Sequence, residues 1–337
     1  MSEVGKLVQS IVQNFNKEFG PGASCTLDSS EQVEVSGWIS TGCSLLDAAI
    51  GKPGIPLGRI TSVSGKPSVG KTTVVNHLLA QAQVIGGVAV LFDTEFSYDV
   101  DRARRIGVQS DLIVSQPGTI EACFQRAISL INYVRSAKVN VPILIAWDTV
   151  SATPTEAEVK GGDDLAKLGK SMGDPYPMGS HAKAISAGLR KLVSVLSKQR
   201  VAIVLVNQFK EDIGAWSYGD THLGWRPIRF HSSLCLDVSL GGPRVEEGGR
   251  PVGITTKVRV AKNKVAPPFR EAVFPIMFED GIDEVGSILD AAIEAKIVTV
   301  KGGGYLDWEK KTFRRKEWKG ICTDDVYQRM RKLVFNR

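Results

Sequence analysis

The stretch Gly65-Lys66-Pro67-Ser68-Val69-Gly70-Lys71-Thr72-Thr73 restricts the possible folds more than any other part of the chain. An apolar run from Arg59 to Ser64 precedes it, and a stretch with helical spacing (Val74, Val75, Leu78, Leu79, Ala82) follows. The glycines therefore fall at a strand-to-helix turn. Phosphate oxygens need several N–H donors converging on one point. Gly65 and Gly70 let the backbone bend and approach closely, while the new helix adds its unpaired amides and positive end. Lys71 supplies a charge for the outer phosphates, and the Thr72 hydroxyl supplies a ligand for Mg²⁺.

A chain of 337 residues is long enough for roughly two domains, and its 43% hydrophobic content suffices for a packed interior. The net charge of +6 permits a polyanionic partner. Five cysteines (Cys25, Cys43, Cys123, Cys235, Cys322) lie far apart with no C-x-x-C pair, which suits reduced thiols in a cytoplasm. The four histidines have no metal-ligand spacing, and no apolar run resembles a signal peptide or a membrane span. A soluble cytoplasmic protein without a membrane partner is expected.

Residues 5–18 place Leu7, Ile11, Val12 and Phe15 on one helical face, and Gly20-Pro21-Gly22 ends the segment before a short extended piece over Ala23 to Leu27. Such an element packs either on its own core or on a neighbouring subunit. From Ile39 the pattern becomes α/β. Strand-like runs at Ile60–Val63, Ala89–Phe92, Leu112–Val114, Ile143–Trp147 and Val201–Val206 alternate with helical patterns at Thr73–Ile85, Ile120–Val134 and Ala182–Ser197. That alternation predicts a mostly parallel sheet covered by helices, with ligands at the carboxyl ends of the strands.

The chemistry-bearing residues fall at those ends. Asp148 closes the run Ile143–Trp147, where a carboxylate serves either as a helix cap or as a Mg²⁺ ligand; beside a phosphate loop the second is favoured. Glu95, just past Phe92-Asp93-Thr94, is placed to orient or deprotonate a water attacking a γ-phosphate. Asn207-Gln208 ends another strand with amides able to bond that phosphate.

Taken together these residues resemble the RecA family of DNA recombinases. Ile39-Ser40-Thr41-Gly42 and Pro56-Leu57-Gly58-Arg59-Ile60, then the phosphate loop, Phe92-Asp93-Thr94-Glu95, Thr153-Pro154, Val206-Asn207-Gln208, Leu236-Asp237 and Lys262-Asn263-Lys264…Pro268-Phe269 occur in the family's order. The resemblance implies a RecA-like P-loop ATPase core over residues 39–283. An N-terminal helix-strand oligomerisation element would cover residues 1–38, and a small α+β domain residues 284–337. It implies an ATP- and Mg²⁺-dependent helical filament on single-stranded DNA that pairs with homologous double-stranded DNA and exchanges strands, in a bacterial or phage-infected cell. By motif position Glu95 activates the water and Gln208 senses the γ-phosphate. Lys262 and Lys264 reach the ATP of the adjacent subunit, where they stabilise developing charge. Asp99 matches an adenine contact, Ile276 and Phe278 match the wall covering the base, and Phe230 matches a subunit-interface position. Arg102 stands where the family usually has an aromatic, and a guanidinium can still stack on adenine.

Residues 155–181 and 209–229 read poorly as core and are long for loops of a compact domain. The second begins directly after Gln208, so a change at the γ-phosphate reaches it through the backbone. By resemblance Met178 and Ile213 wedge between base triplets, with Gly179 and Gly214 beside them. Lys183, Ser186, Arg190, Lys210, Gly224, Trp225 and Arg226 match backbone-contacting positions, a pattern indifferent to base sequence. Three features depart from the family. The first loop is longer than usual and contains Asp163-Asp164. Ser239-Leu240 stand in place of paired arginines of the duplex-holding site, leaving Lys257 and Arg259 to supply part of it. The chain from Tyr327 onward is basic, without an acidic tail, which predicts weak self-inhibition toward duplex DNA. A filament that coats single strands without efficient exchange is the alternative function, with a helicase-like ring as a third.

Overall fold

The computed structural model describes residues 2–28, 35–159, 179–196, 199–208 and 225–335. Helix α1 (Glu3–Phe19) starts at Ser2, whose hydroxyl accepts from the Gly5 N–H at 3.1 Å. It buries none of its residues, and Val4, Leu7, Ile11, Phe15 and Phe19 are exposed. The extended piece expected over Ala23 to Leu27 forms no strand. Ser24 instead bonds back to the helix, donating its N–H to Asn16 Oδ1 and accepting from Asn16 Nδ2, both at 2.9 Å.

Short strands β1 (Trp38–Ile39) and β2 (Ile55–Pro56) pair antiparallel around helix α2 (Ser44–Ile50). The core is one nine-stranded sheet. Its parallel part comprises β3 (Ile60–Gly65), β4 (Val88–Asp93), β5 (Ile113–Ser115), β6 (Ile143–Asp148), β7 (Val201–Gln208) and the start of β8 (Leu234–Glu247). The antiparallel part continues through β9 (Arg250–Asn263), β10 (Glu271–Met277) and β11 (Gly281–Ile282), giving the order β11-β10-β9-β8-β3-β7-β6-β4-β5. Helices α3 (Lys71–Val84), α4 (Val100–Ile106), α5 (Ile120–Ala137), α6 (Ser180–Leu196) and α7 (Trp225–His231) complete the core. The last residues of the expected second loop, 225–229, thus belong to α7.

Strand β7 shows why the sheet is central. Val201, Ile203 and Leu205 join one apolar layer with Phe124, Trp147 and Leu189, while Ala202, Val204 and Val206 join the opposite layer with Leu78, Leu79 and Leu236. A strand buried on both faces reads as a continuous apolar run, and its polar residues are pushed to its end. The register then aligns those ends: Gly65 lies opposite Gln208, and Asp93 opposite Asp148.

The C-terminal module has its own core, in which Trp308, Phe313, Trp318 and Met330 pack with Ile288 and Leu289 of α8 (Glu284–Glu294). It contains a sheet of β12 (Thr299–Lys301), β13 (Tyr305–Trp308) and β14 (Lys311–Arg314), then helices α9 (Trp318–Ile321) and α10 (Asp324–Phe335). A polar knot joins the module to the core. Glu284 accepts from the Ser44 N–H at 2.9 Å and from the Tyr327 hydroxyl at 2.5 Å, and the Ser44 and Tyr327 hydroxyls lie 2.8 Å apart.

Burial raises the Glu284 carboxyl above its ordinary 4.5, against the pull of these bonds. A raised folded-state pKa means that the folded protein binds more protons than the unfolded chain just above pH 4.5, so this group's contribution to stability falls as pH rises through that window. Glu284→Gln keeps an acceptor and removes the charge, so it flattens that slope. Glu284→Ala strands the Ser44 N–H and costs about 1–3 kcal/mol. Urea titrations between about pH 4.5 and 7.5 check both; an unchanged slope in the Gln variant would assign the pH dependence elsewhere.

Candidate functional site

The turn between β3 and α3 is shaped from beneath. A Cβ on Gly65 would meet the Val238 carbonyl oxygen at 2.2 Å, so this glycine is required by the close passage of β8. Gly70 has φ 100° as the N-cap of α3, and a Cβ there would meet Ile276 Cδ1 at 2.5 Å. Ser68 also has positive φ, 61°. The Thr256 hydroxyl pins the loop by donating to the Val69 carbonyl at 3.1 Å. The Lys71 ammonium donates to the Lys66 carbonyl at 2.6 Å. Burial lowers its pKa, while Asp148 and Glu95 oppose that shift, so these three side chains form one electrostatic group.

Asp148 ends β6 and accepts from Thr72 Oγ1 at 2.7 Å. Burial, then the neighbouring Glu95 and Asp93, push its carboxyl up to about 6, against the Thr72 bond and Lys71. Two hard oxygens side by side, one on a carboxylate whose charge is incompletely compensated, fit the donor set that Mg²⁺ prefers. Glu95 is exposed at the end of β4 and accepts from Gln208 Nε2 at 2.6 Å. The Gln208 N–H in turn donates to Ser151 Oγ at 3.3 Å. The sequence-predicted water activator and phosphate sensor are thus brought together from strands 113 residues apart.

At the other end of the loop, Asp99 caps α4 by accepting from the Arg102 N–H at 2.9 Å. Arg102 Nη2 donates to Thr73 Oγ1 at 2.9 Å, a contact that sequence reasoning missed because neither residue signals the other. Ile276 is fully buried beneath Gly70, and Phe278 is half exposed.

Lys183, Ser186 and Arg190 occupy one stripe of α6, with Arg190 Nη1 donating to Ser186 Oγ at 2.9 Å. Gly179, at φ 85°, directly precedes that helix. Trp225 and Arg226 open α7. Met178, Lys210, Ile213, Gly214 and Gly224 lie outside the described residues.

Phe230 is 75% exposed and lines a cleft of about 1080 Å³ with Lys262, Lys264, Trp38, Arg59 and His231. Lys262 Nζ donates to the carbonyls of Arg229 at 2.5 Å and Phe230 at 3.1 Å, closing the C-terminal end of α7. Among the described residues, no helix is long and apolar enough to cross a membrane.

The model of the RecA N-terminal domain matches residues 6–283. The chain is 38% identical to Protein RecA of Syntrophus aciditrophicus over 303 residues, covering 89% of this chain and 83% of that protein. It is likewise 38% identical to Protein RecA of Thermus thermophilus over 318 residues (93% and 87%), and 36% identical to that of Geobacter metallireducens over 302 (89% and 84%). With a matching family model over most of its length, relatives of this similarity and the strand-end constellation described above, the chain belongs to the RecA family.

Proposed function

We infer that the chain is a DNA-dependent ATPase that assembles into a helical filament on single-stranded DNA, pairs it with a homologous duplex and exchanges strands. The observation that carries this reading is the hydrogen bond between Glu95 and Gln208, set beside Lys71 and Asp148 at the end of one sheet. Thr72 and Asp148 would hold Mg²⁺, which neutralises charge on the outer phosphates when bound. Glu95 orients the water, and Gln208 connects the γ-phosphate to the segment that follows it. The stripe Lys183, Ser186 and Arg190 suits phosphate and sugar rather than base edges.

The exposed apolar face of α1 and the exposed Phe230 support a head-to-tail contact between copies, which propagates into a helix when its rotation does not close. Lys262 and Lys264 would then face the neighbour's nucleotide. A second reading, a filament that coats single strands without efficient exchange, draws on Lys257. This cation is paired with Glu271 at 3.0 Å rather than left to duplex DNA.

Electron microscopy with a non-hydrolysable ATP analogue and single-stranded DNA is expected to show helical filaments, and a strand-exchange assay to yield joint molecules. Rings would remove the filament. Filaments without exchange would favour the coating protein. Reversing charge at Lys262 and Lys264 should depress ATPase activity and assembly together; retained cooperative hydrolysis would rule out action across the interface.

A further inference from the structure

Between α2 of the core and α10 of the C-terminal module lies a cleft of about 560 Å³. Lys52 and Arg270 line it from the core, and Gln328, Arg331 and Lys332 line it from α10. The last three recur at intervals of three and four residues, so one face of α10 is turned to the opening. Gly51 closes α2 at φ 76°, and a Cβ there would meet Arg270 Nη1 at 3.2 Å. The bare backbone at this point lets the guanidinium lie across the end of the helix.

Among the described residues the lining carries four cations and one carboxylate, Asp47. That acid cannot balance them. It is 4% exposed, its Oδ1 accepts from the Thr41 N–H at 3.0 Å and the Thr41 hydroxyl at 2.7 Å, and its Oδ2 accepts from the Ser40 hydroxyl at 2.7 Å. Arg331 reaches it only at 3.7 Å. Lys52 lies over the Trp38 ring at 5.8 Å, and among the described residues neither Arg270 nor Lys332 has an acidic partner. Both are exposed, so their donors are open to a ligand.

Like charges gathered around one opening repel one another, and an anion bearing several charges relieves that repulsion at each contact. The cations face one another across a depression rather than following a flat stripe, which selects a compact ligand. The lining holds no aromatic ring, so a nucleic-acid base would find nothing to stack on. We propose that this cleft is a second anion site, separate from the phosphate loop, which takes a compact oligophosphate and ties the module to the core through Arg270 on one side and Arg331 and Lys332 on the other.

Calorimetric titration of inorganic tripolyphosphate into the full chain, without Mg²⁺, tests this. The parent is expected to show two sites, and Lys71→Ala, which disables the phosphate loop, to keep one. Adding R270Q and K332Q to that variant weakens the remaining site about tenfold or more. Adding K310Q and K311Q instead, which removes two exposed cations where β13 turns into β14, leaves it within about twofold. ATP offers the same phosphates with a base attached, and binds the Lys71→Ala variant within about threefold of tripolyphosphate. A Lys71→Ala variant that binds no tripolyphosphate overturns the proposal, even if R270Q and K332Q weaken its grip on duplex DNA. Weakening by R270Q and K332Q no greater than by the control pair overturns it too, as does a preference for ATP beyond threefold. A parent showing the cleft site alone would remove the phosphate loop's assigned role and leave this one standing.

Discussion

Glu95→Gln lowers DNA-stimulated ATP turnover by about 100-fold or more, while nucleotide binding and filament assembly persist. The substitution is nearly isosteric. An amide oxygen still accepts from Gln208 Nε2, so the bond observed at 2.6 Å survives and the strand ends stay aligned. In the mechanism proposed above, what is lost is the carboxylate that takes or orients the proton of the attacking water. Because the loss is confined to the chemical step, kcat falls while nucleotide affinity does not. Single-turnover phosphate release, measured beside filament formation with ATP, separates the two. Equal turnover in variant and parent would take Glu95 out of the reaction.

Lys71→Ala abolishes nucleotide-dependent DNA binding. The ammonium is buried beside two acids, Asp148 and Glu95. In the nucleotide site proposed above, its removal would delete charge-assisted bonds to the outer phosphates and leave those carboxylates facing them, a loss of roughly 3 kcal/mol or more, beyond 100-fold in affinity. Fluorescence anisotropy of labelled single strands, with and without the ATP analogue, reports the outcome. A DNA affinity that still responds to the analogue would contradict a nucleotide switch acting through this lysine.

Much of the site was legible because doubly buried strands concentrate polar residues at their ends. Glu95, Asp148 and Gln208 each follow an apolar run, and the parallel register carries them to one edge. The long hairpin of β8 and β9 was not described from the sequence, although Glu246-Glu247-Gly248-Gly249 marks its turn: its outer part is largely exposed and lacks the apolar run that reveals a buried strand. Contacts far apart in sequence were invisible in principle. Nothing in Ser44 announces Glu284, 240 residues later, or in Thr73 announces Arg102. The piece over Ala23 to Leu27 illustrates a different limit, since an extended backbone becomes a strand only with a neighbour to bond, and here Ser24 finds Asn16.

An ammonium carries three protons, and Lys262 has placed two of them on carbonyls in the last turn of α7, those of Arg229 and Phe230. In the filament inferred above, the third is the one that would meet the adjoining copy's terminal phosphate. A single nitrogen would then join the reacting group of one subunit to the helix that displays Phe230 on the next. Loss of that phosphate would be registered next door through one atom, with no long relay of packed side chains between cause and response.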